Sequence, residues 1–301
     1  MIPVCLVTGF LGSGKTTFLK QIAARHAAEK IVYLVNEFSP HDVDGLVLEE
    51  VEDDVVTIPG GSIFCRCLVT QFLSHLRTIP ERFGSDDEPL RGVVIEASGV
   101  ADPMVIEQLL AETGLDQVYE LATIVAVVDP GSLPKLVHTL PNIHAQVAAA
   151  DVVLLNKIDQ FEADEVAEAE RAAQQINTEA PIVRTVKCGA DVDIFAGGRV
   201  RGLEGDYALC ADPNYARFSV TFDAPVDVAA LARELGALRS EVYRAKGFVP
   251  VADGIAYIDM STAEIAIDHA PQGDSTTGLA IIARGDASEE VRDLVLRLSR
   301  S

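Results

Sequence analysis

Residues 9–17 read GFLGSGKTT and fill every fixed position of the phosphate-loop pattern G-x-x-x-x-G-K-[ST]. In such a loop, glycines let the backbone turn tightly and point its N–H groups at phosphate oxygens. Lys15 is placed to reach the β- and γ-phosphates as a point charge, and the Thr16 hydroxyl to ligate Mg²⁺. The residues predicted to bind phosphate and its metal ion are Gly9, Gly12, Ser13, Gly14, Lys15, Thr16 and Thr17.

A strand and a helix are predicted on either side of this loop. Residues 2–8 form an apolar run typical of a buried parallel strand, and residues 17–28 have apolar positions at helical spacing. A helix that begins beside the loop adds the positive end of its dipole to the same site. The sequence therefore predicts strand, loop and helix in an order suited to phosphate binding.

A second motif, at residues 156–159, follows a later apolar strand and reads NKID, which matches the guanine-reading pattern N-K-x-D. The Asp159 carboxylate can accept hydrogen bonds from N1–H and from the exocyclic amino group of guanine, whereas adenine has no matching pair of donors. GTP is therefore the expected nucleotide, with Asn156, Lys157 and Asp159 as the residues that recognise its base. The alternative is that Asp159 only caps the acidic helix that follows.

Glu96 and Gly99 lie just after the apolar run 92–95. A carboxylate at this position is expected on the Mg²⁺ side of the nucleotide, acting on the metal directly or through a water. The N–H of Gly99 is expected against the γ-phosphate. We therefore assign catalysis to Lys15, Thr16 and Glu96, and Mg²⁺ ligation to the last two. Alternatively, Glu96 caps a helix or forms a salt bridge.

Strands and helices alternate through the first two thirds of the chain, which predicts a mainly parallel sheet covered on both faces. The expected fold class is α/β, a P-loop NTPase domain with its ligands at the carboxyl ends of the strands. Between residues 197 and 214 the sequence becomes rich in glycine and charge, and the strand pattern then changes. We expect a GTPase domain over 1–205 and a smaller α+β C-terminal domain over 214–301.

The composition limits the classes of partner. The 301 residues include 46 acidic and 24 basic side chains, for a net charge of −22. Such a chain is repelled by nucleic acid and by anionic lipid, so we expect neither as a partner. No apolar run approaches the ~20 residues that span a bilayer, and no N-terminal signal is recognised, so a cytoplasmic location is expected. The five cysteines do not form a secreted disulfide framework.

Taken together, the motifs resemble the CobW-type family of metal-chaperone GTPases, relatives of UreG and HypB. The matching segments follow the family's order over nearly the whole chain, at residues 8–17, 36–38, 95–103, 156–159 and 244–248. The resemblance implies slow, Mg²⁺-dependent GTP hydrolysis coupled to delivery of a transition metal of the zinc or cobalt type. It also implies a client metalloprotein, or an enzyme of cobalamin-cofactor assembly, as a partner.

The chain departs from the family at the metal motif, C-x-C-C after a glycine. Ser62 and Phe64 replace the first two thiols, whereas Cys65 is retained and Cys67 restores a C-x-C pair. Two thiolates can hold a soft or borderline ion such as Zn²⁺, Co²⁺ or Cu⁺. The candidates for the remaining ligands are Glu37, His41 and Asp42. The alternative is a pair of small buried cysteines that bind no metal.

Segment 36–67 carries both the predicted switch loop and the predicted metal thiols. Our hypothesis is that a γ-phosphate with Mg²⁺ orders this segment, so that GTP turnover drives transfer of the metal. Two other interpretations stay open: a GTP-driven activator of a corrinoid or other metalloprotein that carries no metal, and a regulatory binding module with negligible turnover. The C-terminal domain is expected to recognise the client or to form a homo-oligomer contact.

Overall fold

The computed structural model describes residues 1–37, 55–59, 69–85, 89–197, 202–203, 205, 215–222, 224–261, 265–269, 277–284 and 287–298. These residues form two compact units, one up to residue 205 and one from residue 215. Each unit contains buried hydrophobic clusters of its own.

The first unit contains a parallel β-sheet. Its described strands are β1 (Ile2–Thr8), β2 (Ile31–Glu37), β3 (Val55–Pro59), β4 (Gly92–Glu96), β5 (Tyr119–Val128), β6 (Val152–Leu155) and β7 (Ile182–Arg184). They lie in the order β3-β2-β4-β1-β5-β6-β7, and every neighbouring pair is parallel. In the central strand, Leu6 pairs with Ile95 on one side and with Ile124 on the other. The α/β prediction is confirmed.

Helices follow the strands of the first unit. They are α1 (Lys15–Arg25), α2 (Val69–Phe83), α3 (Ile106–Glu112), α4 (Leu133–Leu136), α5 (Pro141–Ala148) and α6 (Ala163–Ile176). Side chains alternate along β1, so that Leu6 belongs to one buried cluster with Phe72 of α2, and Val7 to another with Phe18 of α1. The sheet is therefore buried on both faces, which explains the continuous apolar runs of its strands.

Two features differ from the sequence-based expectation. The sequence pattern of residues 103–113 predicts a helix, and in the structure this segment begins as a 3-10 turn, Pro103–Val105. There the Asp102 carboxylate accepts the N–H of Met104 at 2.9 Å. The short helices α4 and α5 were not predicted, because each is too short for a clear apolar period. α5 contacts the loop after β4 through side-chain hydrogen bonds.

The second unit contains an antiparallel β-sheet. Its described strands are β8 (Tyr215–Thr221), β9 (Val242–Val251), β10 (Gly254–Ser261), β11 (Ile265–His269) and β12 (Gly278–Arg284), in the order β11-β10-β9-β12-β8. Helices α7 (Val228–Ala237) and α8 (Ser288–Leu298) bury Leu231, Leu235, Val291 and Val295 in one cluster with the sheet. This unit is the predicted small α+β fold.

Candidate nucleotide site

The loops that follow β1, β4 and β6 meet at one edge of the first sheet. Strands β4, β1, β5 and β6 are parallel neighbours, so the carboxyl ends of all four lie at this edge. Ligand sites of open parallel sheets lie at that edge. The three predicted motifs, at residues 9–17, 96–99 and 156–159, therefore lie where a shared ligand can be bound.

The loop between β1 and α1 adopts a backbone that only glycine accepts easily. The φ angles are 136° at Gly9, 79° at Gly12 and 115° at Gly14. A Cβ atom on Gly9 would lie 2.0 Å from the carbonyl oxygen of Val127, and one on Gly14 would lie 2.4 Å from Nδ2 of Asn156. Any larger residue would disturb this cradle, which explains why the sequence has glycine at these positions.

Two polar side chains of the cradle are buried. Lys15 is 7% exposed, and its Nζ donates a hydrogen bond to the carbonyl oxygen of Phe10 at 3.3 Å. The Ser13 hydroxyl is fully buried, and its Oγ has no hydrogen-bond partner among the described residues. A buried cation and an unsatisfied hydroxyl beside a cradle of backbone N–H groups fit a polyphosphate ligand.

Thr16 and Glu96 form an oxygen pair beside the cradle. Val7 of β1 pairs with Glu96 of β4, which brings the carboxylate level with the start of α1. The Thr16 hydroxyl donates to both carboxylate oxygens of Glu96, at 3.3 and 3.4 Å, and Glu96 is only 6% exposed. One hydroxyl and one carboxylate are the hard oxygen ligands that Mg²⁺ prefers, so the pair fits this metal.

The turn at residues 98–101 packs against the phosphate loop. The N–H of Ala101 donates to the carbonyl oxygen of Ser98 at 2.9 Å, which closes the turn. A Cβ atom on Gly99 would lie 2.6 Å from both the backbone N and the Cδ2 atom of Leu11. Glycine is therefore needed at position 99 for the turn to approach the cradle this closely.

Asn156 connects the base motif to the phosphate loop. It is 2% exposed; its Nδ2 donates to the carbonyl oxygen of Ser13 at 2.9 Å, and its Oδ1 accepts the N–H of Cys188 at 2.9 Å. Lys157 has a φ of 61°, and Asp159 lies in the 3-10 turn that follows, Ile158–Gln160. The structure thus joins the two sequence motifs through one buried side chain.

The side chain of Cys188 contacts the phosphate loop, and the sequence did not predict this contact because it gives the thiol no ligand partner. Its backbone has a φ of 54°, and its Sγ donates to the carbonyl oxygen of Gly14 at 3.4 Å. Burial raises the pKa of the Cys188 thiol to about 12, so the thiol stays protonated at neutral pH. It acts here as a small buried group against the phosphate loop.

The predicted transition-metal ligands Cys65, Cys67 and His41 lie outside the described residues. Glu37 is the last residue of β2, and its side chain is not described. Within the described ranges, no group of three or more His, Cys, Asp and Glu side chains is arranged to hold a metal ion. In the same part of the chain, no helix combines the length and apolarity that a membrane crossing requires.

A parallel sheet with a glycine loop between β1 and α1 defines a P-loop nucleotide-binding protein. Residues 3–184 match the family described as CobW/HypB/UreG, nucleotide-binding domain, and residues 215–298 match the cobalamin synthesis protein cobW C-terminal domain. Because the first match spans more than half of the chain, the protein belongs to the CobW/HypB/UreG family. The resemblance that its motifs indicated is confirmed.

Relatives in this family are called zinc chaperones. The chain is 28% identical over 296 residues to the zinc chaperone CobW of Pseudomonas aeruginosa, covering 83% of this chain and 77% of that one. It is 27% identical over 242 residues to the zinc chaperone YjiA of Escherichia coli, covering 77% and 75%. The crystal structure of the Zn(II)-bound YjiA GTPase from E. coli aligns over 99% of this chain and 98% of its own, with 23% identity and a TM-score of 0.48.

The glycine cradle leads to a first prediction. Gly14→Ala should lower nucleotide affinity about tenfold, because the new methyl group collides with Asn156 Nδ2 and a clash of this kind costs ~1–3 kcal/mol. Gly114→Ala is the matched control, since Gly114 also has positive φ (70°) but a Cβ atom there has nothing within 4 Å. Binding of a fluorescent nucleotide measures both variants. Equal nucleotide affinities of Gly14→Ala and Gly114→Ala would contradict the role given to the cradle.

Proposed function

We propose that this protein binds GTP together with Mg²⁺ and hydrolyses the nucleotide slowly. The observation that supports this most is the pair of hydrogen bonds made by Asn156. One of them, donated to the carbonyl oxygen of Ser13, joins the N-K-x-D segment to the glycine loop, and the other, accepted from the N–H of Cys188, joins it to the chain after β7. A triphosphate cradle and a base-recognition motif in one site are the two parts that a GTP-binding protein needs.

Recognition of guanine is assigned to the motif at residues 156–159. Asp159 supplies a carboxylate that can accept from N1–H and the exocyclic amino group of the base. Asn156 keeps this motif in place, because both ends of its side-chain amide are hydrogen-bonded inside the protein. Lys157 begins the turn with a left-handed backbone, which allows the chain to bend immediately after β6.

The hydrolytic residues are assigned to the phosphate side of the site. Lys15 and the backbone N–H groups of the glycine loop would hold the β- and γ-phosphates, and Gly99 would bring an N–H to the terminal phosphate. Thr16 and Glu96 would hold Mg²⁺. Bound there, Mg²⁺ supplies positive charge that offsets the charge developing on the phosphate oxygens. The family resemblance implies slow intrinsic turnover, and we propose that a client accelerates it.

We further propose that GTP turnover is coupled to delivery of a transition metal such as zinc. The names of the relatives in Pseudomonas aeruginosa and Escherichia coli support this. Cys65 and Cys67 are the proposed thiolate ligands, completed by Glu37 and His41, and this assignment rests on the sequence alone. The domain over 214–301 is proposed to recognise the client metalloprotein or to form a homo-oligomer contact, and 1–205 to be the GTPase.

The second candidate function is a GTP-driven activator of a metalloprotein that carries no metal itself. The observation in its favour is the altered metal motif, in which Ser62 and Phe64 stand in place of two thiols. The two functions share the nucleotide site and differ only in whether the cysteine pair binds an ion. A metal titration therefore distinguishes them.

The guanine assignment predicts the behaviour of Asp159 variants. Asp159→Ala should weaken GTP binding by about 100-fold, because two charge-assisted hydrogen bonds are lost. Asp159→Asn should shift preference from GTP towards XTP, in which an oxygen replaces the amino group that the carboxylate accepts from. Asp164→Ala, an exposed acidic residue at the start of α6, is the control and should bind GTP normally. Unchanged GTP affinity in Asp159→Ala would remove the guanine assignment.

The carrier function predicts that the cysteine pair binds metal. Titration with Zn²⁺ should show one tight site in the wild type that is lost in Cys65→Ser/Cys67→Ser, because both thiolate ligands are removed. Cys210→Ser, a chemically matched change at a cysteine given no role, should keep the site. The titration is made with GDP and with a non-hydrolysable GTP analogue. Full stoichiometry and affinity in the double variant would exclude the carrier function and leave the activator.

A further inference from the structure

The turn at residues 98–101 is held by side chains from α5. Nε2 of Gln146 donates to the carbonyl oxygens of Gly99 at 3.2 Å and Ala101 at 3.1 Å. Nδ2 of Asn142 donates to the carbonyl oxygen of Val100, between them. Three consecutive carbonyl groups of one turn are therefore bonded to two side-chain amides. We call Asn142 and Gln146 the amide clamp.

The clamp follows from helix geometry. Asn142 and Gln146 are four residues apart in α5, so their side chains lie on one face of the helix. Gln146 is 1% exposed, and its Oε1 accepts no hydrogen bond from the described residues. Burying an amide with an unused acceptor is unfavourable, and an apolar side chain would avoid this. The amide at this position is accounted for by its two donor bonds to the turn.

The same turn also contacts the phosphate loop. Gly99 contacts Leu11 so closely that a Cβ atom would not fit between them. The turn therefore contacts both the cradle and the amide clamp. With its carbonyl groups bonded on the α5 side and the Ala101 N–H bonded to Ser98, the conformation of the turn is set before any ligand binds.

We propose that Asn142 and Gln146 are positioning residues that preset this turn for the terminal phosphate, and so set the preference of the site for triphosphate over diphosphate. The inference rests on the proposed function. A turn that is already ordered loses little conformational entropy when the Gly99 N–H meets the γ-phosphate. Without the clamp, that entropy is lost on binding GTP, whereas GDP has no terminal phosphate to meet the turn.

The test compares binding of a non-hydrolysable GTP analogue with binding of GDP. Gln146→Met keeps the size and removes both donor bonds, and it should lower analogue affinity about tenfold while GDP affinity changes less than twofold. The turnover number for GTP should fall as well. Gln174→Met is the control, because the exposed Gln174 also donates from its amide to a backbone carbonyl, that of Thr178. It should bind both nucleotides as the wild type does.

Asn142→Ala provides a second variant, since Asn142 is only partly buried and its truncation threatens folding less. Asn142→Ala should also lower the ratio of analogue affinity to GDP affinity. If Gln146→Met does not fold, this variant alone tests the positioning role. Equal loss of both affinities, or no change in their ratio, would overturn the positioning role. Wild-type protein that binds neither nucleotide would overturn the proposed function instead, so the two failures are distinguishable.

Discussion

The buried amide of Asn156 is the interaction on which the site depends. It donates to the phosphate loop at Ser13 and accepts from the chain at Cys188, so three separate segments of the sequence are fixed to one another. Both groups of the amide are used, which makes its burial favourable. Glycine at position 14 leaves the space that this side chain occupies. Removal of the amide would release the base motif from the cradle.

Parallel pairing of the strands is the second constraint. Because β4, β1, β5 and β6 are neighbours with the same direction, the loops after them emerge at one edge of the sheet. The central position of β1 places its glycine loop between the carboxylate at the end of β4 and the motif that follows β6. Most residues of the site thus lie in loops, and the buried strands fix the positions of these loops relative to one another.

Much of this arrangement could be predicted from the sequence. Continuous apolar strands indicated the parallel sheet. The glycine loop, the carboxylate and the N-K-x-D motif come at the ends of three of these strands, and they indicated the edge where the ligand binds. Asn142, Gln146 and the side-chain contact of Cys188 could not be identified in this way, because none of these side chains belongs to a motif. Their contacts join residues 42, 47 and 174 positions apart, and such contacts depend on the tertiary fold rather than on local pattern. Helix α5, which begins at Pro141, was not predicted for a local reason, its short length.

The central claim is that one site combines a phosphate cradle with recognition of guanine. Isothermal titration calorimetry of the full chain tests this most directly, with GTP and Mg²⁺ as the titrant and ATP with Mg²⁺ in a parallel run. We expect saturable heat at one GTP per chain and at least tenfold weaker binding of ATP. Absence of any heat from GTP with Mg²⁺, or equal affinity for the two nucleotides, would contradict it.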